Sequence, residues 1–390
     1  VAVTNLHSVR IEKLVAGGDG LTRMDDGRVV FVPGVLTGEL VQIELAEERK
    51  DFGRGKLISV TELSDHRRVP PCPHVEQRCG GCNWQHIDRR IQGQAKLAIV
   101  VEAFARTARM EVDPQLRRLT EDARRTTVRM VSDDDGVLGF RMAESHDIVP
   151  VSNCMVAHDL INQFISSPVL DGAGEVTIRV GARTGDVGVW AHEGSLAKGL
   201  AAGVKTGERS TITEMIGDHK FKVSMGSFFQ SSPEAAELII DSVSRRLDKL
   251  GVSGGMLVDA YGGVGLFSLA FSSRFDELML VELSESACKD AVRNLADCAA
   301  VIEQASMDQW DSCDADVVIA DPSRHGLGKY GAAAIIDTGA DTVILVSCDP
   351  VAGARDAKFL VDAGYKISEI EVLDIFPETH HVEVVTSFTR

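Results

Sequence analysis

A thiol at the end of a predicted strand is the first residue in this chain that could do chemistry. Residues 343–356 read VILVSCDPVAGARD. The β-formers 343–346, with Thr342 before them, run into Ser347-Cys348-Asp349-Pro350, and helix-compatible residues follow from 352 to 360. Open α/β sheets hold their ligands at the carboxyl ends of their strands. Cys348 is therefore either a nucleophile facing a ligand or a small buried residue. A second group, FPETHHVE at 376–383, offers Glu378, His380, His381 and Glu383 between two predicted strands. Adjacent histidines on a strand face opposite ways, which weakens a metal reading. Glu383 as a general base on a rigid strand is the sharper one. A third group, CPHVEQRCGGC at 72–82, spaces Cys72, Cys79 and Cys82 through a Pro/Gly loop, with Cys154 in VPVSNCMVAH as a possible fourth ligand. Four thiolates suit either zinc or an iron–sulfur cluster, and spacing does not separate the two. Cys288, Cys298 and Cys313 show no such grouping, and Cys288 and Cys298 read as structural helix residues.

A donor site is legible upstream. LVDAYGGVGLFSLAF at 257–271 is a strand, a glycine turn and a helix. Glycines there let the backbone approach a ligand at a helix N-terminus. The next strand ends in Glu282, where an acid accepts hydrogen bonds from ribose hydroxyls. NAD and S-adenosylmethionine sites share that logic. The turn lacks the pyrophosphate fingerprint G-x-G-x-x-G. Asp259 at the strand end disfavours a pyrophosphate and suits an ammonium group, so S-adenosylmethionine is the favoured ligand. In ADPSRHG at 320–326, Asp321 would sit beside that ligand, and Pro322 stops the strand. The third strand ends in Gln304-Ala305-Ser306, with Asp308 slightly beyond.

Three regions must position these groups. Residues 1–64 alternate short strands with glycine turns and read as a small closed barrel. Residues 65–225 carry the cysteine-rich loop, a helix over 93–110 expected to pack on the catalytic domain, and short strand signals with a brief helix near 158–165. From 226 the rhythm is β/α: strands at 256–260, 277–282, 300–304, 315–320 and 342–347 alternate with helices, and 367–374 and 382–389 close as an antiparallel pair. This is an α/β, Rossmann-like arrangement with a mostly parallel sheet covered on both faces. Ser232 reads as a helix cap with Pro233 at the first helical position.

Bulk composition limits the classes further. The 390 residues carry a net charge of −17, 44% hydrophobic and 25% charged residues, and eight cysteines. No apolar run approaches the ~20 residues of a membrane span, and the first residues lack a secretory pattern. A cytoplasmic monomer is expected. In that setting clustered cysteines bind metal or do chemistry rather than form disulfides. Net negative charge argues against nucleic acid unless a local patch exists. The pairs Arg67-Arg68, Arg89-Arg90, Arg117-Arg118 and Arg124-Arg125 are the expected patch.

The motif order resembles the RNA (uracil-5-)-methyltransferase family: Gln230 in SFFQSSPEAAELI, then DAYGGVGLF, ADPSRHG, VSCDPVAGARD and FPETHHVE. The N-terminal V-x-G-G-D-G-L-x-R pattern resembles a TRAM domain, an oligonucleotide/oligosaccharide-type barrel. The resemblance implies an S-adenosylmethionine-dependent class I methyltransferase acting on C5 of a uridine in transfer or ribosomal RNA. It further implies Cys348 as nucleophile and Glu383 as proton acceptor. Gln230, Tyr261, Glu282 and Asp321 match the family's cofactor-binding positions. Cys72, Cys79, Cys82 and Cys154 match its [4Fe-4S] ligands, with zinc as the alternative. Departures are a six-residue first cysteine spacing, Pro-Ser-Arg at 322–324 and Leu266 in place of a polar residue. Arg355, one turn into the helix after Cys348, is expected to lower the thiol's pKa. The competing readings are a non-catalytic RNA-binding protein on this fold and a methyltransferase of another substrate.

Overall fold

The computed structural model describes residues 6–119, 123–166, 170–192 and 197–390. Period-two alternation of buried and exposed residues carries the N-terminal segment into sheet. Its strands are β1 (Leu6–Arg10), β2 (Lys13–Leu14), β3 (Gly20–Arg23), β4 (Val29–Val32), β5 (Leu40–Glu48) and β6 (Phe52–Glu62). They join in the order β1-β5-β6-β4-β3-β2 around Val9, Ile11, Val30, Val32, Val41 and Ile43. Gly20 is required there, since a Cβ would lie 2.3 Å from Val35 Cγ2.

Helix α1 (Arg89–Ala103) starts behind Asp88, whose carboxylate accepts from the Arg90 amide. It begins four positions before the expected 93 and ends in a π-helical turn, Phe104–Ala108. The short strand β7 (Gln115–Arg118) follows. The middle sheet contains β8 (Thr127–Ser132), β9 (Leu138–Arg141), β10 (Ile148–Pro150), β11 (Gly174–Val180), β12 (Val187–Ala191) and β13 (Lys205–Thr206), in the order β10-β9-β8-β11-β12-β13. Helix α2 (Asp159–Ile165) packs on it through Ile161 and Ile165. A separate hairpin, β14 (Thr211–Ile216) and β15 (His219–Ser224), leads to the last region.

Helix α3 (Pro233–Lys249) begins with Ser232 Oγ accepting from the Ala235 amide at 3.1 Å. The catalytic sheet then builds from β16 (Met256–Ala260), β17 (Glu277–Glu282), β18 (Ala300–Gln304), β19 (Val317–Ala320), β20 (Thr342–Ser347), β21 (Lys366–Asp374) and β22 (Glu383–Thr389). The intervening helices are α4 (Leu266–Ala270), α5 (Glu285–Asn294), α6 (Gly328–Asp337) and α7 (Pro350–Asp362). The order is β18-β17-β16-β19-β20-β22-β21-β7, parallel from β18 to β20, with β22 antiparallel to both its neighbours. Along β20, Val343 and Leu345 face a core shared with α1, α6 and α7, while Ile344 and Val346 face a core shared with α3 and α4. Burial on both faces explains why these strands read as continuous apolar runs. Strand β7 and helix α1 come from residues 89–118, so the sheet recruits elements from outside 226–390.

The arginine pairs serve differently from the expected RNA patch. Arg67 holds Glu39 bidentately, at 2.6 and 2.7 Å, and Glu39 is fully buried. Arg68 pairs with Glu378, Arg90 with Asp88, and Arg117 with Asp241, while Arg118 donates to the Arg90 carbonyl. A guanidinium's planar fork suits it to such ties between carboxylates and backbone carbonyls. Arg67 and Arg68 spend their donors on buried carboxylates, whereas Arg90 and Arg117 pair at the surface.

Candidate functional site

The residues singled out from sequence come from distant segments, yet most meet at one end of the catalytic sheet. Tyr261 follows β16, Glu282 ends β17, Asp321 follows β19 and Cys348 follows β20. Because β22 runs antiparallel to β20, its first residue, Glu383, arrives at the same end. Ser347 pairs with Val384, so the next position outward sets Cys348 beside Glu383. Gln230, in the loop before α3, donates from Nε2 to Asp321 Oδ2 at 3.3 Å.

The electrostatics of this end are acidic. Glu383 is 3% exposed, and its Oε1 has no hydrogen-bond partner. Burial, then repulsion from Asp321, pushes its carboxyl well above the usual range. Asp321 is pushed up to about 7 by burial and by Asp259. Asp259 is itself pushed up to about 6 by burial. Its Oδ2 accepts from the Ser268 amide at 2.8 Å and hydroxyl at 2.6 Å, while its Oδ1 is buried without a partner. Glu282 accepts from the Gly263 amide at 3.0 Å and the Ser284 amide at 2.6 Å, which fixes its carboxylate at the glycine turn. Tyr261 sits in the left-handed region (φ 60°), and burial raises its phenol to about 12. Crowded carboxylates with unpartnered buried oxygens are costly. Their chemical complement is a cation, and a pyrophosphate would add to the repulsion.

Burial, then Glu383, then Asp321 push the half-buried Cys348 thiol up to about 12; Arg324 pulls it down. The expectation for Arg355 is corrected. Its guanidinium donates to Asp356 and, at 2.6 Å, to the His325 carbonyl. Asp356 in turn accepts from the Leu327 amide at 2.7 Å, so Arg355 is committed to the loop that starts α6. Arg324, exposed in the Pro-Ser-Arg-His-Gly loop, is the cation that acts on the thiol. Its place three residues after Asp321 was the signal available in the sequence.

Residues 375–382 form no strand, and this alters the histidine reading. The His380 and His381 rings lie 4.1 Å apart, centroid to centroid, instead of on opposite faces. Burial and the neighbouring cations push His381 down to about 3. Glu378 is held by Arg68 and Gln92.

Cys72, Cys79, Cys82 and Cys154 line one cavity of ≈ 250 Å³, together with Arg125 and Phe140. All four are free, half-buried thiols. Burial raises Cys79, Cys82 (to about 11) and Cys154, and each is raised further by neighbouring cysteines of the set. Among the described residues, no three His, Cys, Asp or Glu side chains are grouped to hold a metal ion. As a donor set the four cysteines fit a group that neutralises several thiolates at once.

The TRAM domain family matches residues 7–58, which is the six-stranded N-terminal sheet. A Streptomyces coelicolor protein described as an uncharacterised RNA methyltransferase is 30% identical, covering 97% of this chain and 92% of its own length. This chain belongs to that family of RNA methyltransferases. A Streptomyces avermitilis member with the same description is 29% identical over 97% of both chains. The methyltransferase's fold is shared with the Pyrococcus abyssi tRNA (uracil-54, C5)-methyltransferase, solved with S-adenosyl-L-homocysteine. That likeness has a TM-score of 0.74 at 23% identity and covers 98% of this chain and all of the other. The fold is thus that of an S-adenosylmethionine-dependent methyltransferase with an N-terminal TRAM domain. Among the described residues no helix is long and apolar enough to cross a membrane.

Proposed function

We propose that this enzyme methylates C5 of a uridine in structured RNA, with S-adenosylmethionine as donor. The observation that carries the reading is the strand register that sets Cys348 beside the buried Glu383, at the end of the sheet that also carries Asp321 and Glu282. C5 of uracil is a weak nucleophile. The Cys348 thiolate adds to C6, which leaves an electron pair at C5. That carbon takes the donor's methyl group, and the neutral thioether departs. The Glu383 carboxylate then removes the C5 proton. The freed pair restores the C5–C6 double bond, and the C6–S bond breaks to return the thiolate. The target base must leave its stack to reach Cys348.

The carboxylates define the donor's orientation. Asp321, steadied by Gln230, and Asp259 face the cationic part of the ligand; Glu282 takes the ribose hydroxyls; Tyr261 lies between these groups. Bringing a sulfonium and an ammonium into this pocket lowers the cost of ionising Glu383, so donor binding readies the base. Cys72, Cys79, Cys82 and Cys154, which line one cavity, would hold a [4Fe-4S] cluster, with zinc as the alternative. The proposed chemistry transfers no electrons, and the cluster's role is structural.

RNA containing 5-fluorouridine tests the reading, because fluorine cannot leave as a proton. With S-adenosylmethionine, the wild-type enzyme should form a covalent complex stable to denaturation, and Cys348→Ala should form none. Absence of any adduct with RNA substrates, or an adduct that survives Cys348→Ala, would overturn it.

A further inference from the structure

The loop that delivers Glu383 is held only in part by its own domain, through the buried Ile375 and Val382. Residues 375–382 make few bonds among themselves; Thr379 Oγ1 donates to the Phe376 carbonyl at 3.0 Å and accepts from the His381 amide at 3.3 Å. The other side-chain hydrogen bonds to the loop come from residues 68–96, almost three hundred positions away. Gln92 is fully buried: its Oε1 accepts from the Glu378 amide at 3.0 Å, and its Nε2 donates to Glu378 Oε2 at 3.2 Å. The same Nε2 is fixed by the Trp84 and Ile87 carbonyls. The Trp84 amide donates to the Glu378 carbonyl at 3.0 Å. Asn83 Oδ1 accepts from the His380 amide at 3.2 Å, and its Nδ2 lies 2.6 Å from His380 Nδ1. The fully buried Lys96 ammonium pairs with Asp374 and donates to the Phe376 carbonyl at 2.9 Å. Glu378 is thereby kept at φ 65°, a left-handed conformation that a non-glycine residue holds when its surroundings over-determine it.

Cys348 has a different support. It sits between β20 and α7, and Asp349 beside it caps α7 by accepting from the Val351 and Ala352 amides. The nucleophile and the base share the β20–β22 pairing, and what differs is the support of the segment next to each: α7 after Cys348, and the loop tied to residues 68–96 before Glu383. We propose that Asn83, Gln92 and Lys96 are positioning residues for proton removal: they place Glu383 through the 375–382 loop and leave thiol addition to Cys348's own elements. The inference rests on the proposed roles of Cys348 and Glu383 and deepens them.

The test separates the two halves of the reaction in full-length protein. Trapping with 5-fluorouridine RNA reads thiol addition and methyl transfer. The lifetime of the adduct on ordinary uridine RNA reads proton removal. Asn83→Ala, at an exposed position, and Gln92→Ala should trap 5-fluorouridine RNA at the wild-type rate. On ordinary RNA both should accumulate the methylated adduct and release product about 100-fold more slowly, the loss that a misplacement of order 1 Å brings. Asn83→Asp, which keeps an acceptor for the His380 amide, should restore release. The proposal is overturned if the adduct resolves at the wild-type rate in both alanine variants. It is equally overturned if trapping and release fall together, since that marks a general structural role. If wild-type enzyme forms no adduct, the proposed reaction itself fails.

Discussion

Cys348 is almost wholly a neutral thiol in the ligand-free protein, because burial and two carboxylates push it up to about 12. Its reactivity must come from what enters the site and from Arg324. Removing that cation raises the thiol's pKa further, and one unit changes the thiolate fraction about tenfold. Arg324→Ala should therefore slow adduct formation about tenfold near pH 7 and move its pH profile upward, as read by stopped-flow trapping; an unchanged profile would show that Arg324 does not reach the thiol. Asp321 makes a complementary prediction. Its folded carboxyl titrates near 7, against an ordinary 3.8. The folded state thus holds a proton that the unfolded chain releases across that window. The resulting stability is complete below the ordinary value and is lost as pH rises through about 7. Asp321→Asn cannot lose that proton. It should stabilise the ligand-free protein by about 1 kcal/mol at pH 7 and weaken donor binding. Thermal denaturation and calorimetric titration check the two effects, and tighter donor binding would contradict the assignment.

At the scale of elements, caps and termini decide where the chemistry sits. Asp349 accepts two of the unpaired amides at the start of α7, directly beside Cys348. Asp349→Ala should cost about 1 kcal/mol of stability and slow trapping, whereas Asp349→Asn, also a good cap, should stay near wild type. Denaturant titration separates them. The strands β16 to β20 were legible because burial on both faces leaves an apolar run, and the helices between them alternate with that signal. Strand β7 was not: Gln-Leu-Arg-Arg is short and polar, and it pairs only because β21 offers an open edge. The β14 strand was also missed, since it needs β15 to complete a hairpin. The segment 375–382 read as a connection between two strands with its adjacent histidines on opposite faces. Its actual shape is imposed by α1 and by Asn83, partners nearly the whole chain away.

At the scale of the molecule, the charge distribution separates structural arginines from those available to RNA. The net charge of −17 is set against a limited number of cations, and the doublet Arg67-Arg68 is committed to the buried carboxylates Glu39 and Glu378. Arg67 shows the consequence. Its loss would strand the buried Glu39 carboxylate between the TRAM domain and the cysteine-rich segment. Arg67→Ala should destabilise the protein by about 3 kcal/mol while the folded fraction keeps its RNA affinity. Denaturation beside filter binding distinguishes this from an RNA contact, which would lower affinity and its salt dependence with little change in stability.

The sequence by itself determined the order of elements, the end of the sheet that carries Cys348, Glu282 and Asp321, and the domain type at the N-terminus. Local periodicity, caps and motif spacing are properties of neighbouring residues, so one dimension suffices to read them. Only the tertiary structure decided which arginine faces the thiol, that Asp259 and Glu383 are buried with unpartnered oxygens, and that Gln92, Lys96 and Asn83 hold the loop before Glu383. Those depend on which distant side chains share a small, poorly solvated volume, and it is there that charge and hydrogen bonding act most strongly.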